Sequence, residues 1–142
     1  MDEKILMPEI LTVETPGRAL IEITADIAGL TRKAAPASGC VQLFLQHTSA
    51  SLLIQENADP DVQRDLVDWF DRAAPEDGPY RHSAEGPDDM PAHIKTALTA
   101  VSLSIPFTER RLLLGTWQGV YLFEHRRAPQ RRRVIASFLE AS

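Results

Sequence analysis

Apolar and polar positions alternate at both ends of this chain and recur at helical spacing between them. Residues 9–14 (EILTVE) and 19–23 (ALIEI) read as strands on either side of the turn signal Pro16-Gly17. Ile23, Ile27, Leu30 and Ala34 fall at i, i+4, i+7 and i+11, which predicts a short helix with Thr24 as its N-cap and an end at Pro36 and Gly39. Residues 40–46 (CVQLFLQ) alternate, and residues 51–55 (SLLIQ) form a further apolar run. Asp59 as cap and Pro60 in the first turn open the clearest helix, with Val62, Leu66, Trp69 and Phe70 on one face. Residues 75–91 are polar and broken by glycine and proline. A loop of that length is usually functional or disordered. Another helix follows Asp89, with Pro91 in its first turn and Ile94, Leu98 and Val101 on one face. Residues 102–107, 111–114, 120–125 and 132–139 read as strands. The order predicts one α+β domain over residues 1–142, with mixed or antiparallel sheets and two or three helices.

Composition narrows the class. The 142 residues are 44% hydrophobic and 25% charged, as in ordinary globular domains. No apolar run approaches the roughly 20 residues that span a bilayer, and Met1-Asp2-Glu3-Lys4 opens no signal peptide. Cys40 is the sole cysteine and reads as a small core residue. No intrachain disulfide can form, and a reducing, cytoplasmic setting is expected. The net charge of −5 argues against nucleic acid as a partner. It conceals a split: residues 56–90 carry −8 and residues 107–142 carry +4. A fold that joins the two could hold both a cation and a phosphate in one pocket.

The candidate chemistry gathers at element ends. Of four histidines, His47 ends a strand, His82 lies in the long loop and His93 begins a helix. Neutral imidazoles bind divalent ions, yet no metal motif is present, and each histidine alone reads equally as a surface or hydrogen-bonded core residue. Glu56-Asn57-Ala58-Asp59-Pro60-Asp61 offers carboxylates to orient a histidine, or simply a helix start. Of Asp88 and Asp89 one suffices as an N-cap, which leaves the other as ligand or base. In Leu114-Gly115-Thr116-Trp117-Gln118-Gly119, Trp117 offers a stacking face and Gln118 an amide, or the stretch is a tight hairpin. Arg127, Arg131, Arg132 and Arg133 read as a solvated hairpin tip. Arg126 extends the strand of Glu124 and His125 and is the candidate phosphate clamp.

Taken in order, five stretches resemble the YjbQ-like family, also labelled the secondary thiamine-phosphate synthase family. They are His47-Thr48-Ser49-Ala50, residues 56–62 (ENADPDV), Asp88-Asp89-Met90-Pro91-Ala92-His93, residues 114–119 (LGTWQG) and Glu124-His125-Arg126. The resemblance runs from about Thr12 to the C-terminus. It implies a small α+β fold, a homotrimer and a pocket in which His47, His82 and His93 bind a divalent metal ion, zinc or magnesium. One departure is Thr108-Glu109-Arg110-Arg111, where relatives often have a glycine-containing turn.

The function so implied is a small metal-dependent transferase with thiamine-phosphate synthase activity on a phosphorylated heterocycle. In that reading Glu56, Asp89 and Glu124 serve catalysis, and Thr48, Ser49, Asn57, Trp117, Gln118 and Arg126 contact substrate. Metal-assisted hydrolysis of a phosphate ester and a non-enzymatic metal- or anion-binding trimer are the alternatives. No nucleic acid or membrane partner is expected.

Overall fold

The computed structural model describes residues 3–5 and 7–141. The opening Met1-Asp2, part of the predicted absence of a leader, lies outside them. The chain runs β1 (Glu3–Ile5), β2 (Glu9–Thr15), β3 (Ala19–Glu22), α1 (Thr24–Ala34), β4 (Ser38–Leu45), β5 (Ala50–Glu56), α2 (Pro60–Ala73), α3 (Asp89–Leu98), β6 (Ser102–Thr108), β7 (Arg111–Leu112), β8 (Gln118–Glu124) and β9 (Gln130–Ala141). All pairings are antiparallel. A six-stranded sheet has the order β1-β9-β4-β6-β7, with β2 also on β9, and a three-stranded sheet has the order β3-β8-β5. This is the predicted α+β domain.

Alternation decides which side of each strand is buried. Val41, Leu43 and Leu45 of β4 and Val134, Ala136 and Phe138 of β9 point inward, where they meet Leu52, Val120 and Leu122 of the smaller sheet. Ile23 and Ile27 bring α1 into the same core. Two glycines at the polar ends of the sheets sit where backbones or side chains crowd. A Cβ on Gly17, whose φ is +117°, would lie 2.2 Å from the Arg127 carbonyl oxygen, and one on Gly119 would lie 2.7 Å from Glu22 Oε2.

Several local expectations are corrected. Ile23, not Thr24, stands at the cap of α1. The Thr24 hydroxyl instead donates to Glu22 Oε2 at 2.8 Å and accepts from Val120 N at 2.8 Å, which ties the helix start to the smaller sheet. Trp69 is 53% exposed, because the inward face of α2 is Val62, Gln63, Leu66, Val67 and Phe70. On α3, Leu98 is 56% exposed and Val101 lies past the helix, while Pro91, Ala92 and Lys95 are buried. The buried Lys95 ammonium is accommodated by Asp71 at 2.5 Å. Residues 113–114 are not strand: β7 stops at Leu112. Cys40 is only half-buried, on the outward side of β4. The β6–β7 turn places Glu109 and Arg110 at φ of 51° and 60°, so it adopts the left-handed conformation without glycine. Arg110 anchors it by donating to the Ala35 and Ala37 carbonyls.

Candidate functional site

Antiparallel pairing of β5 with β8 sorts the polar motifs into two groups. Ala50 pairs with Glu124, while Glu56 pairs with Gln118. At a rise of about 3.3 Å per residue the two ends of this ladder are about 20 Å apart. His47, Thr48, Ser49, Glu124, His125 and Arg126 therefore collect at one end. Glu56, Asn57, Trp117 and Gln118 collect at the other.

The first end is built around Asp89. Asp89 opens α3 and His93 follows one turn later, so both lie on one face of the helix. His82 reaches them from the loop before α3. Asp89 Oδ2 is approached by His82 Nε2 at 2.6 Å and His93 Nε2 at 3.3 Å, while Oδ1 accepts from Arg126 Nη1 at 3.0 Å. Asp89 is 1% exposed, and the ligating atoms of this trio all lie within 4.8 Å of one another. Burial alone would raise the Asp89 pKa; the His82 bond, the nearby His93 and Arg126 outweigh it and hold the carboxyl below its ordinary value. The His93 ring is fixed by a 2.8 Å bond from Nδ1 to the Thr48 carbonyl. A carbonyl only accepts, so Nδ1 carries a proton, and in the neutral ring Nε2 keeps a lone pair facing Asp89.

Arg126 is the post of this corner. Its Nε donates to Asp88 Oδ2 at 3.0 Å, Nη1 to Asp89 Oδ1, and Nη2 to the Glu85 carbonyl at 2.9 Å. Arg127 N adds a 2.9 Å bond to Asp88 Oδ2. These bonds with Arg126 and Arg127 overcome the effect of burial and lower the Asp88 pKa. Two predictions are thereby corrected. Asp88 does stand at the N-cap of α3, but its side chain makes no capping bond, because both carboxylates are drawn to Arg126. Arg126 is not an open phosphate clamp, because three of its nitrogens already hold the loop and the helix start.

Behind this corner lies a buried chain of charge. Glu124, wholly buried, accepts from Arg132 Nε at 2.7 Å and Nη2 at 2.5 Å, from Thr15 Oγ1 at 2.9 Å and from the backbone N–H groups of His125 and Arg126. Arg132 is 2% exposed, so it is no part of a solvated hairpin tip. The tip reading holds better for Arg127 and Arg131, which pair with Glu76 and Glu14. Arg132 passes a bond to Ser49 Oγ, and Ser49 meets His47 Nδ1. Glu124 thus has no free edge for substrate; it positions Arg132 and Ser49. His47 stands beside the Asp89 trio and outside it.

The second end carries a different set. Asn57 Nδ2 donates to Glu22 Oε2 at 3.0 Å, Gln118 Oε1 accepts from Gly115 N at 2.7 Å, and Trp117 is 62% exposed. Gln63 Nε2 bonds the Tyr121 hydroxyl at 3.0 Å and the Glu56 carbonyl at 2.8 Å. A cavity of about 630 Å³ opens here between Leu20, Glu22, Asn57, Gln63, Val67 and Tyr121. Burial, then Glu22, raises the Tyr121 pKa.

Comparison with known proteins agrees with the fold. The profile of the UPF0047 protein YjbQ-like family matches residues 9–141. The chain belongs to the YjbQ-like UPF0047 family. A UPF0047 protein of Synechocystis sp. is 52% identical over 128 residues, 89% of this chain and 87% of that protein. The UPF0047 protein YjbQ of Escherichia coli O157:H7 is 48% identical over 99 residues, 70% of this chain and 72% of that protein. Among solved structures, a conserved hypothetical protein of Thermus thermophilus superposes with a TM-score of 0.80 at 34% identity, over 94% of this chain and 99% of that one. A YbjQ-like protein of unknown function from Sulfolobus solfataricus reaches 0.89 at 19% identity, over 99% and 100% of the two chains, and speaks for the fold. Among the described residues, no helix of this YjbQ-like chain is long and apolar enough to cross a membrane.

Sequence reading overlooked three groups in this family member. Glu22 organises the Asn57 end. Lys95, Asp71, Arg18 and Glu76 form an ionic cluster in which only Lys95 is fully buried. Ser51 Oγ bonds His125 Nε2 at 2.9 Å inside the core. Burial pushes the His125 pKa down to about 3, helped by Lys95 and Arg132, and its Nδ1 has no partner among the described residues. An outward-reading strand position gives no sign of these pairs, since their partners lie far away in sequence.

Proposed function

We propose that this YjbQ-like protein binds a divalent cation through His82, Asp89 and His93 and acts beside it on a phosphorylated heterocyclic small molecule, with thiamine-phosphate synthase-like transferase chemistry. The observation that carries the reading is the convergence of two imidazole Nε2 atoms on one carboxylate oxygen, at 2.6 and 3.3 Å. The donor set fits zinc: two nitrogens and one oxygen, with further positions open. Ligand bonds of about 2.0–2.2 Å at tetrahedral angles separate neighbouring ligands by about 3.4 Å. His93 already stands at that separation from Asp89. His82 needs to retreat by under about 1 Å, and its loop position and 47% exposed side chain allow it. Magnesium, which prefers oxygen, fits this set less well. A bound cation would supply charge to neutralise phosphate oxygens.

The chain's own residues take distinct parts. Arg126 fixes Asp89 through Oδ1 and leaves Oδ2 for the cation. The Thr48 carbonyl sets the His93 tautomer. In the transfer itself a carbon–nitrogen bond forms between a pyrimidine methylene and a thiazole nitrogen, and the carbon–oxygen bond to pyrophosphate breaks. A homotrimer belongs to the same proposal. The outward face of the larger sheet supports it, where Ile10, Ile135 and Phe44 lie in one row across β2, β9 and β4 and Ile10 and Phe44 are 52% and 50% exposed.

A pyrimidine diphosphate and a thiazole phosphate incubated with protein and divalent ion are expected to yield thiamine phosphate and pyrophosphate by mass spectrometry. Release of inorganic phosphate from either substrate alone would favour metal-assisted ester hydrolysis instead. A protein that retains its metal and turns over neither substrate would be a binding protein. That reading draws support from the 630 Å³ cavity, whose lining does not include Asp89. Light scattering at a single-chain mass would exclude a stable trimer.

A further inference from the structure

His47 and His93 are held by opposite kinds of group. The Thr48 carbonyl fixes His93 with its proton on Nδ1. A backbone N–H only donates, so His47 Nδ1 must accept from Ser49 N at 3.1 Å. The Ser49 hydroxyl agrees. Arginine has no acceptor, so Arg132 Nη2 donates to Ser49 Oγ at 3.0 Å, and Ser49 Oγ turns its own proton to His47 Nδ1 at 2.9 Å. Ser49 and Arg132 are 1% and 2% exposed, so this chain is rigidly packed. The neutral His47 ring therefore carries its proton on Nε2. It is a donor where His93 is a ligand.

His47 lines a cavity of about 260 Å³ together with Gln46, Arg131, Arg132 and Arg133, with no carboxylate among the lining residues. Arg132 is committed to Glu124 and Ser49, and Arg131 to Glu14 at 2.6 Å. The Arg133 guanidinium makes no hydrogen bond or ion pair among the described residues and alternates with Arg132 to the outer side of β9. We propose that Gln46, His47 and Arg133 form an oxyanion site for the phosphate group of a small molecule, separate from the cation ligands. His47 immediately precedes Thr48, whose carbonyl holds His93, so the anion site adjoins the candidate cation site. The link to a phosphorylated substrate rests on the proposed function; the anion site itself does not. Burial, then Arg132, lowers the His47 pKa, which keeps the ring neutral and its Nε2–H available near pH 7.

Calorimetry with inorganic phosphate and pyrophosphate on the full chain as purified tests this, with metal content measured in parallel. Arg133→Ala is expected to weaken binding by about tenfold or more while keeping its metal, since a hydrogen bond to a charged group contributes about 1.5–3 kcal/mol. Arg131→Ala should stay within about twofold, because Glu14 already occupies that guanidinium. Tighter binding of a phosphorylated heterocycle than of free phosphate identifies the small molecule as the source; equal binding assigns the site to the free anion. Unchanged phosphate affinity in Arg133→Ala overturns the site. Affinity lost in His82→Ala but kept in Arg133→Ala places the anion on the cation and also overturns it, leaving the cation reading intact. Nitrogen-15 spectra give an independent check on the unmutated protein. They should show His47 protonated at Nε2 and perturbed by phosphate, and protonation at Nδ1 overturns the assignment.

Discussion

At the Ala50/Glu124 end of the three-stranded sheet, polar side chains are buried and bonded mostly to one another; at the Glu56/Gln118 end they border open space. Glu124, Arg132, Ser49 and Asp89 are each 2% exposed or less, whereas Trp117 is 62% exposed beside a cavity of about 630 Å³. A buried ionic network tolerates one arrangement and fixes it. An open cavity offers volume without fixed chemistry. An ample cavity and the most ordered reactive groups need not coincide, and here they lie at opposite ends of one ladder.

The largest effect should come from breaking that order. Glu124→Ala leaves Arg132 charged and buried without its carboxylate, and unfolding by urea should show a loss of about 3–5 kcal/mol. A loss under about 1 kcal/mol would mean the network is not rigid. Arg126→Ala comes next. It frees Asp89 Oδ1 and the loop of His82, and it should weaken divalent-ion affinity by about 10–100-fold, read by competition with a chromogenic chelator.

Acid should act on the same end. The folded pKa of His125, about 3, lies below its ordinary value of 6.5. The unfolded chain therefore binds the extra proton first as pH falls. The stability is fully present above pH 6.5 and is lost progressively below it, by about 2 kcal/mol between pH 6.5 and pH 5. Urea midpoints across that window should fall for the protein and hold steadier for His125→Gln. The smallest effects belong to the open end. Trp117→Ala and Gln118→Ala should change stability by no more than about 0.5 kcal/mol, and should leave metal content unchanged. A large loss of metal in either would abolish the distinction between the two ends.

Much of the fold is legible in the alternation of β4 and in the start of α2, where Asp59 Oδ1 does accept from Asp61 N at 2.9 Å. Periodicity misled where a charge replaces an apolar residue in the core. Arg132 reads as a solvated hairpin tip and Lys95 draws no reading at all, yet their partners Glu124 and Asp71 let both be buried. The site was half legible. Five motifs in sequence order identify the polar residues, and His82, Asp89 and His93 do converge. Order along the chain does not tell that β5 and β8 run antiparallel. That pairing puts Ser49 with Glu124 and carries Glu56, Asn57, Trp117 and Gln118 about 20 Å away. Nor does a histidine's spacing reveal its tautomer, which the Ser49 N–H and the Thr48 carbonyl decide.

Metal content tests the central claim most directly. The protein and its His47→Ala, His82→Ala and His93→Ala variants, purified without chelator and shown to be folded by circular dichroism, would be measured by inductively coupled plasma mass spectrometry. Bound divalent metal is expected in the protein, lost in His82→Ala and His93→Ala and retained in His47→Ala. Unchanged stoichiometry in the first two, or an equal loss in His47→Ala, would contradict that claim.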